Sequence, residues 1–240
     1  MLSLKNVHFN LPSKENLIDG ISIDIEPGKM TVITGPNGGG KTSLAKLIAG
    51  LFVPTSGTIE MDGQDITNLS ISERAKAGIS YAFQQPVSFK GLTVRDLMNI
   101  AAGEKMSEKN LCMILEKVGL CAREYMQRPM DSHLSGGESK RIEIATVLAR
   151  SSKYVIFDEP EAGIDLWSFA SLIDTFKSLK EDEERALLII SHQERILEIA
   201  DRIIVVAGGR ISDEGTPDVI MPKLLGGSVK AHCPKGKEVF

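Results

Sequence analysis

Residues Gly35-Pro36-Asn37-Gly38-Gly39-Gly40-Lys41-Thr42 fit the pattern G-x-x-x-x-G-K-[ST] at every position. The flanks match as well. The apolar run "MTVIT" precedes the loop, and "KTSLAKLIAGL" follows it with Leu44, Leu47, Ile48 and Leu51 on one side of a helix. A strand, a glycine loop and a helix in that order form a cradle for a polyphosphate. The glycines let successive backbone N–H groups turn inward, and the helix N-terminus adds partial positive charge. Lys41 is expected at the β- and γ-phosphates and the Thr42 hydroxyl on Mg²⁺, with Ser43 completing the cradle.

A phosphate loop needs an acidic partner on a neighbouring strand. "YVIFDE" supplies one: an apolar strand ending in Asp158 and Glu159. Asp158 is expected to hold Mg²⁺, directly or through water. Glu159 is expected beside the γ-phosphate, where a carboxylate can polarise an attacking water. His192 ends the next apolar strand, "LLIISH". If the strands run parallel, its imidazole lies on the ligand-binding edge of the sheet, within reach of the phosphate or the water.

The surrounding pattern is that of an α/β chain. "LSLKNV" and "GISIDIE" alternate like half-buried strands, and "TSGTIEMDGQDI" reads as strand, turn, strand. From about Ser72 to Ala149 strand signals are scarce, and "VRDLMNIAAG", "EKNLCMILEKVGL" and "SKRIEIATVLARSS" have helical period. The last third alternates strand and helix again, which predicts a parallel sheet covered by helices. The whole of 1–240 reads as one domain, with an inserted helical lobe over 86–150 and a loose tail over 226–240.

Composition narrows the function. With 240 residues, 42% of them hydrophobic and 25% charged, the chain has ample material for a core. A net charge of −4 argues against a nucleic-acid partner held by a basic surface. The N-terminus lacks a basic segment followed by an apolar run, and the longest apolar runs are too short for a bilayer. Any membrane component is therefore expected on another chain, and this one in the cytoplasm. Cys112, Cys121 and Cys233 form no C-x-x-C pair, which suits a reducing compartment.

One feature does not fit a single phosphate site. "LSGGE" opens a second glycine-rich helix. Ser135 and Glu138 have the spacing of a capping box, but a capping box does not require two glycines. Gly136 and Gly137 strip the first turn of side chains and open its N–H groups to an anion. Two such starts in one chain make sense if two chains share two nucleotides head to tail, the loop of one chain facing Ser135 and Gly137 of the other.

"GPNGGGKT", "AFQQP", "LSGGE", "YVIFDE", "AGID" and the histidine of "SH" occur in that order over nearly the whole chain. This resembles the ATP-binding-cassette (ABC) ATPase family. The resemblance implies a P-loop fold of ABC type: a RecA-like mixed sheet with an N-terminal antiparallel β part and an inserted helical lobe. It implies ATP hydrolysis with Mg²⁺ in a sandwich dimer, Gln84 sensing Mg²⁺ and the attacking water, and Asp165 touching the other subunit near its phosphate loop. One departure stands out. The family often stacks an aromatic residue on adenine after the first strand, and here Leu11 occupies that place, with Phe9 two residues earlier. "LSGGESKRIEIA", "DEPEAGIDLWSF" and "SHQERILEIADRI" are similar to the SufC-type branch, which implies a SufB-like scaffold in iron–sulfur cluster assembly as the partner. A transporter subunit that binds a membrane permease is the alternative. Val87 and Phe89, in the loop after Gln84, are the expected docking residues.

Overall fold

The structure, a computed structural model, describes residues 1–11, 14–84, 89–131 and 134–226. Two sheets carry the fold. The first is antiparallel, in the order β2 (Lys14–Ile25), β1 (Leu2–Leu11), β4 (Ser56–Met61), β5 (Gln64–Asp65). The second runs β10 (Arg210–Gly215), β9 (Arg202–Ala207), β3 (Met30–Thr34), β8 (Ala186–Ile190), β7 (Tyr154–Asp158), β6 (Ile79–Ala82). All its neighbours are parallel except the β9–β10 hairpin.

The period-two alternation of the central strands explains why both faces of the second sheet are covered. Met30, Val32, Val155, Phe157, Leu187, Ile189, Ile203 and Val205 point into one core, which they share with the helical lobe. Ile33, Tyr154, Ile156, Leu188, Ile190, Ile204 and Val206 point into the other, shared with the antiparallel sheet and α1 (Lys41–Ala49). The lobe comprises α3 (Val94–Ala102), α4 (Glu108–Lys117), α5 (Ala122–Tyr125) and α6 (Gly136–Ala149). Its core joins that of α7 (Leu166–Lys180), through Phe169, Leu172 and Phe176.

The structure corrects one reading. The stretch from Ser72, where strand signals are scarce, is not all helical: α2 (Ile71–Ala77) leads into β6, an edge strand of the central sheet. With four residues, and with Ser80 buried against Ser152, β6 is too short and too polar to register as an alternating run. The C-terminal part adds α8 (Glu194–Glu198) and α9 (Pro217–Leu225), while the expected tail after Gly226, Cys233 included, lies outside the described residues.

Four strands deliver chemistry to the same edge. β3 ends at Thr34 before the glycine loop, β6 ends before Phe83 and Gln84, β7 ends on Asp158, and β8 ends before Ser191 and His192. Ligands of parallel sheets collect at these carboxyl ends because successive connections open a crevice there.

Candidate nucleotide-binding site

The cleft at that edge has a volume of about 570 Å³ and is lined by Asn37, Gly38, Gly40, Lys41, Thr42, Ser43, Gln84, Glu159 and His192, among others. Sequence reasoning had singled out all of these. The loop curls around the Lys41 ammonium, which donates to the carbonyls of Gly35 at 2.7 Å and Pro36 at 3.0 Å. Gly35 is held at φ 130° with its Cα against β9, where a Cβ would meet the Val206 carbonyl oxygen at 2.2 Å. No other residue fits there. Gly39 sits against the same carbonyl.

Behind the loop, Thr42 donates its hydroxyl to Asp158 Oδ1 at 3.2 Å. Tyr81 donates to Asp158 Oδ2 at 2.8 Å from β6, a contact the sequence did not foretell. Asp158 is fully buried, and burial raises its pKa against the two hydroxyl hydrogen bonds that lower it. These are hard oxygen donors of the kind Mg²⁺ selects. Burial likewise lowers the Lys41 pKa, and the charges of Glu159 and Asp158 oppose it.

Glu159 leaves the strand at φ 48° with its N–H donating to the Ile190 carbonyl at 3.0 Å. This turn carries its carboxylate across the cleft, where the Gln84 amide donates to it at 2.6 Å. His192 lies 3.4 Å from the Thr34 hydroxyl through Nδ1. Burial first, then the Lys41 charge, lowers its pKa below 6.5, while Glu159 opposes. A neutral imidazole at pH 7 can donate from one nitrogen and accept at the other.

Four further residues line the cleft that the sequence did not single out: Leu17, Glu161, Ala162 and Gln193. Glu161 accepts from the Ser191 hydroxyl at 2.6 Å, and burial raises its pKa. No local pattern announces it, since its partner is thirty residues away. Phe9, two residues before Leu11, is occupied elsewhere. It is buried and stacks on Phe52, with ring centroids 4.9 Å apart.

The second glycine-rich start lies outside this cleft. Ser135 caps α6 through a complete box, with its N–H donating to Glu138 at 2.7 Å and its hydroxyl accepting from the Glu138 N–H at 3.2 Å. α2 and α3 open with the same device and without glycines, so capping does not account for Gly136 and Gly137. The structure separates the two. A Cβ on Gly137 would meet the Gly163 carbonyl at 2.9 Å, whereas Gly136 faces open space. Gly137 thus lets α6 abut the "AGID" turn. There Asp165 caps α7 by accepting from the N–H of Ser168 at 3.0 Å and its hydroxyl at 2.7 Å. Glu138 is also gripped by the Tyr125 hydroxyl and by Arg128 at 3.1 Å, and its pKa falls to about 2.

Residues 18–162 match the model of the ABC transporter family. The chain is 34% identical to an ABC transporter ATP-binding protein of Methanocaldococcus jannaschii, MJ0035, over 98% of this chain and 94% of that one. It is 32% identical to the probable ATP-dependent transporter SufC of Escherichia coli, over 90% and 92% respectively. It is 34% identical to the sulfate/thiosulfate import ATP-binding protein CysA 2 of Shewanella oneidensis, over 85% of this chain and 58% of that one. Among solved structures, the dimeric post-hydrolysis state of the cassette MJ0796 with ADP and Pi superposes with a TM-score of 0.81, at 25% identity, over 90% of this chain and 99% of that one.

Proposed function

Because this chain belongs to the ABC transporter family, and is therefore an ATP-binding-cassette ATPase, we propose that it hydrolyses ATP with Mg²⁺ in a head-to-tail dimer and does so as a SufC-like motor on a SufB-like scaffold in iron–sulfur cluster assembly. The observation that carries the dimer is the separation of the two anion-binding helix starts. Lys41, Thr42 and Glu159 line the cleft, while Ser135 and the open face of Gly136 lie outside it. Ser135, Gly136, Gly137 and Glu138 of one chain then close over the phosphates held by the other, with Asp165 at the seam.

Within each site the loop from Gly35 to Ser43 wraps the phosphates, and Lys41 turns from the carbonyls of Gly35 and Pro36 to the γ-phosphate oxygens. Thr42, Asp158 and Gln84 would hold Mg²⁺, which when bound offsets the phosphate charge. Glu159 accepts a proton from the attacking water, Gln84 orients that carboxylate, and neutral His192 donates to the γ-phosphate.

The SufC-like role is supported by "LSGGESKRIEIA" and by the similarity to SufC. A transporter subunit is the second reading, favoured by the similarity to MJ0035. Either partner has a place to dock. A groove of about 220 Å³ runs between α2, β6, α3 and α6, lined by Ile71, Tyr81, Phe83, Ala101 and Val147. Exposed Ile100 lies on α3 beside it. Phe89 is exposed as a docking residue must be, whereas Val87 lies outside the described residues.

Glu159→Gln tests the whole reading. With MgATP its turnover should fall roughly 10²–10⁴-fold, as on loss of a general base, and light scattering should show a trapped dimer that co-elutes with a SufB-like scaffold. Near-wild-type turnover removes Glu159 from its role. A trapped dimer that ignores the scaffold and binds a permease replaces the SufC-like role with the transporter one.

A further inference from the structure

The backbone N–H and C=O of Phe83 lie just past the end of edge strand β6, where no strand among the described residues satisfies them. Both are captured by one helix. Glu143 Oε1 accepts from the Phe83 N–H at 2.6 Å, and the Lys140 ammonium donates to the Phe83 carbonyl and lies 3.5 Å from that of Gln84. The two side chains pair at 3.1 Å. Lys140 is fully buried and the Glu143 side chain is 13% exposed, and burial raises the Glu143 pKa despite the Lys140 charge beside it. The next residue, Gln84, holds Glu159.

We propose that the buried Lys140–Glu143 pair of α6 is a positioning element for hydrolysis, which fixes the backbone that presents Gln84 to Glu159 and makes that contact follow the lobe. A largely buried ion pair is an expensive way to satisfy one residue's backbone, and neutral side chains would satisfy the same two atoms. Charge-assisted bonds do so with less play. The location gives the stiffness a use. Ser135, at the start of the same helix, is only about 7 Å of helix rise from Lys140. A phosphate seated on that start from the opposite site shifts α6, and Phe83 and Gln84 shift with it. Each site's base is thereby set by the neighbouring site's nucleotide. The inference rests on the roles given to Gln84 and Glu159 in the proposed function.

The experiment is a double-mutant cycle on the full chain. It compares wild type, Lys140→Met, Gln84→Ala and the double variant, with kcat and ATP affinity measured for each. Lys140→Met should lower kcat roughly tenfold or more with ATP affinity within about threefold of wild type. In the Gln84→Ala background it should change kcat by less than about twofold, because both lesions break one linkage. A purely structural role would instead multiply the two losses, and that result, or an unchanged kcat in Lys140→Met, overturns the proposal. If Lys140→Met does not fold, Glu143→Gln serves in the same cycle, since its amide oxygen still accepts from Phe83. Gln84→Ala at wild-type rate overturns the assignment of Gln84 and this proposal together. A slow Gln84→Ala beside an unaffected Lys140 variant overturns the pair's role alone.

Discussion

Glu159 occupies the left-handed region of backbone space, φ 48°, without being glycine. Such a residue is strained by ~1–3 kcal/mol and persists where its surroundings hold it. Here the Ile190 carbonyl holds its N–H and Gln84 its carboxylate. The strain has a visible product: a strand that would bury its next side chain turns it into the cleft instead. His192 illustrates a second local effect, with a consequence for stability. Its folded pKa lies below the ordinary 6.5 because of burial and Lys41. The unfolded chain therefore takes up a proton, as pH falls through 6.5, that the folded chain still refuses. That contribution to stability is present above this window and lost through it. Denaturation at pH 7.5 and 5.5 should show a larger acid loss for wild type than for His192→Gln. Equal losses would mean that His192 does not titrate as assigned.

At the scale of elements, helix α1, which follows the glycine loop, is positioned from its far end. Arg74, fully buried on α2, donates to the carbonyls of Leu47 and Ile48 at 2.6 and 2.8 Å. It also reaches those of Thr67 at 2.8 Å and Leu69 at 3.1 Å. Burial lowers its pKa to about 10 against the pull of Asp65, so it stays charged at neutral pH and faces the negative end of the α1 dipole. Arg74→Met should destabilise the protein by about 2–4 kcal/mol in denaturant unfolding, since it strands several buried carbonyls. A loss below about 0.5 kcal/mol, the level of an ordinary surface change, would show that the helix end is satisfied without it. Arg74 also marks the limit of sequence reading. The glycine loop, Asp158, Glu159 and the Ser135 box were legible because each is a short consecutive pattern beside a periodic run. Tyr81 on Asp158, Glu161 on Ser191 and Lys140 on Phe83 were not, because each joins elements distant in sequence. β6 was lost for a different reason, being too short to show a period. The stack of Phe9 on Phe52 likewise has no local signal.

At the scale of the whole molecule, two glycine-rich helix starts sit on different elements, one at α1 beside the central sheet and one at the start of α6. Gly137 packs that start against Gly163, in the turn that leads to Asp165. In the proposed dimer both belong to one surface, and hydrolysis needs a loop from one chain and a helix start from the other. Mixing two dead chains tests this directly. Lys41→Ala disables the phosphate loop, and the double variant Ser135→Arg, Gly137→Asp disables the facing helix start. In a mixed dimer one composite site carries both lesions and the other carries none. The account predicts that each variant is inactive alone and that ATPase activity returns on mixing. The return should be at most about a quarter of the wild-type rate, since random pairing makes about half the dimers mixed with one intact site each, and less where that site depends on a nucleotide in its neighbour. Mixed dimers that form, as shown by differential tagging, yet hydrolyse no ATP would contradict it.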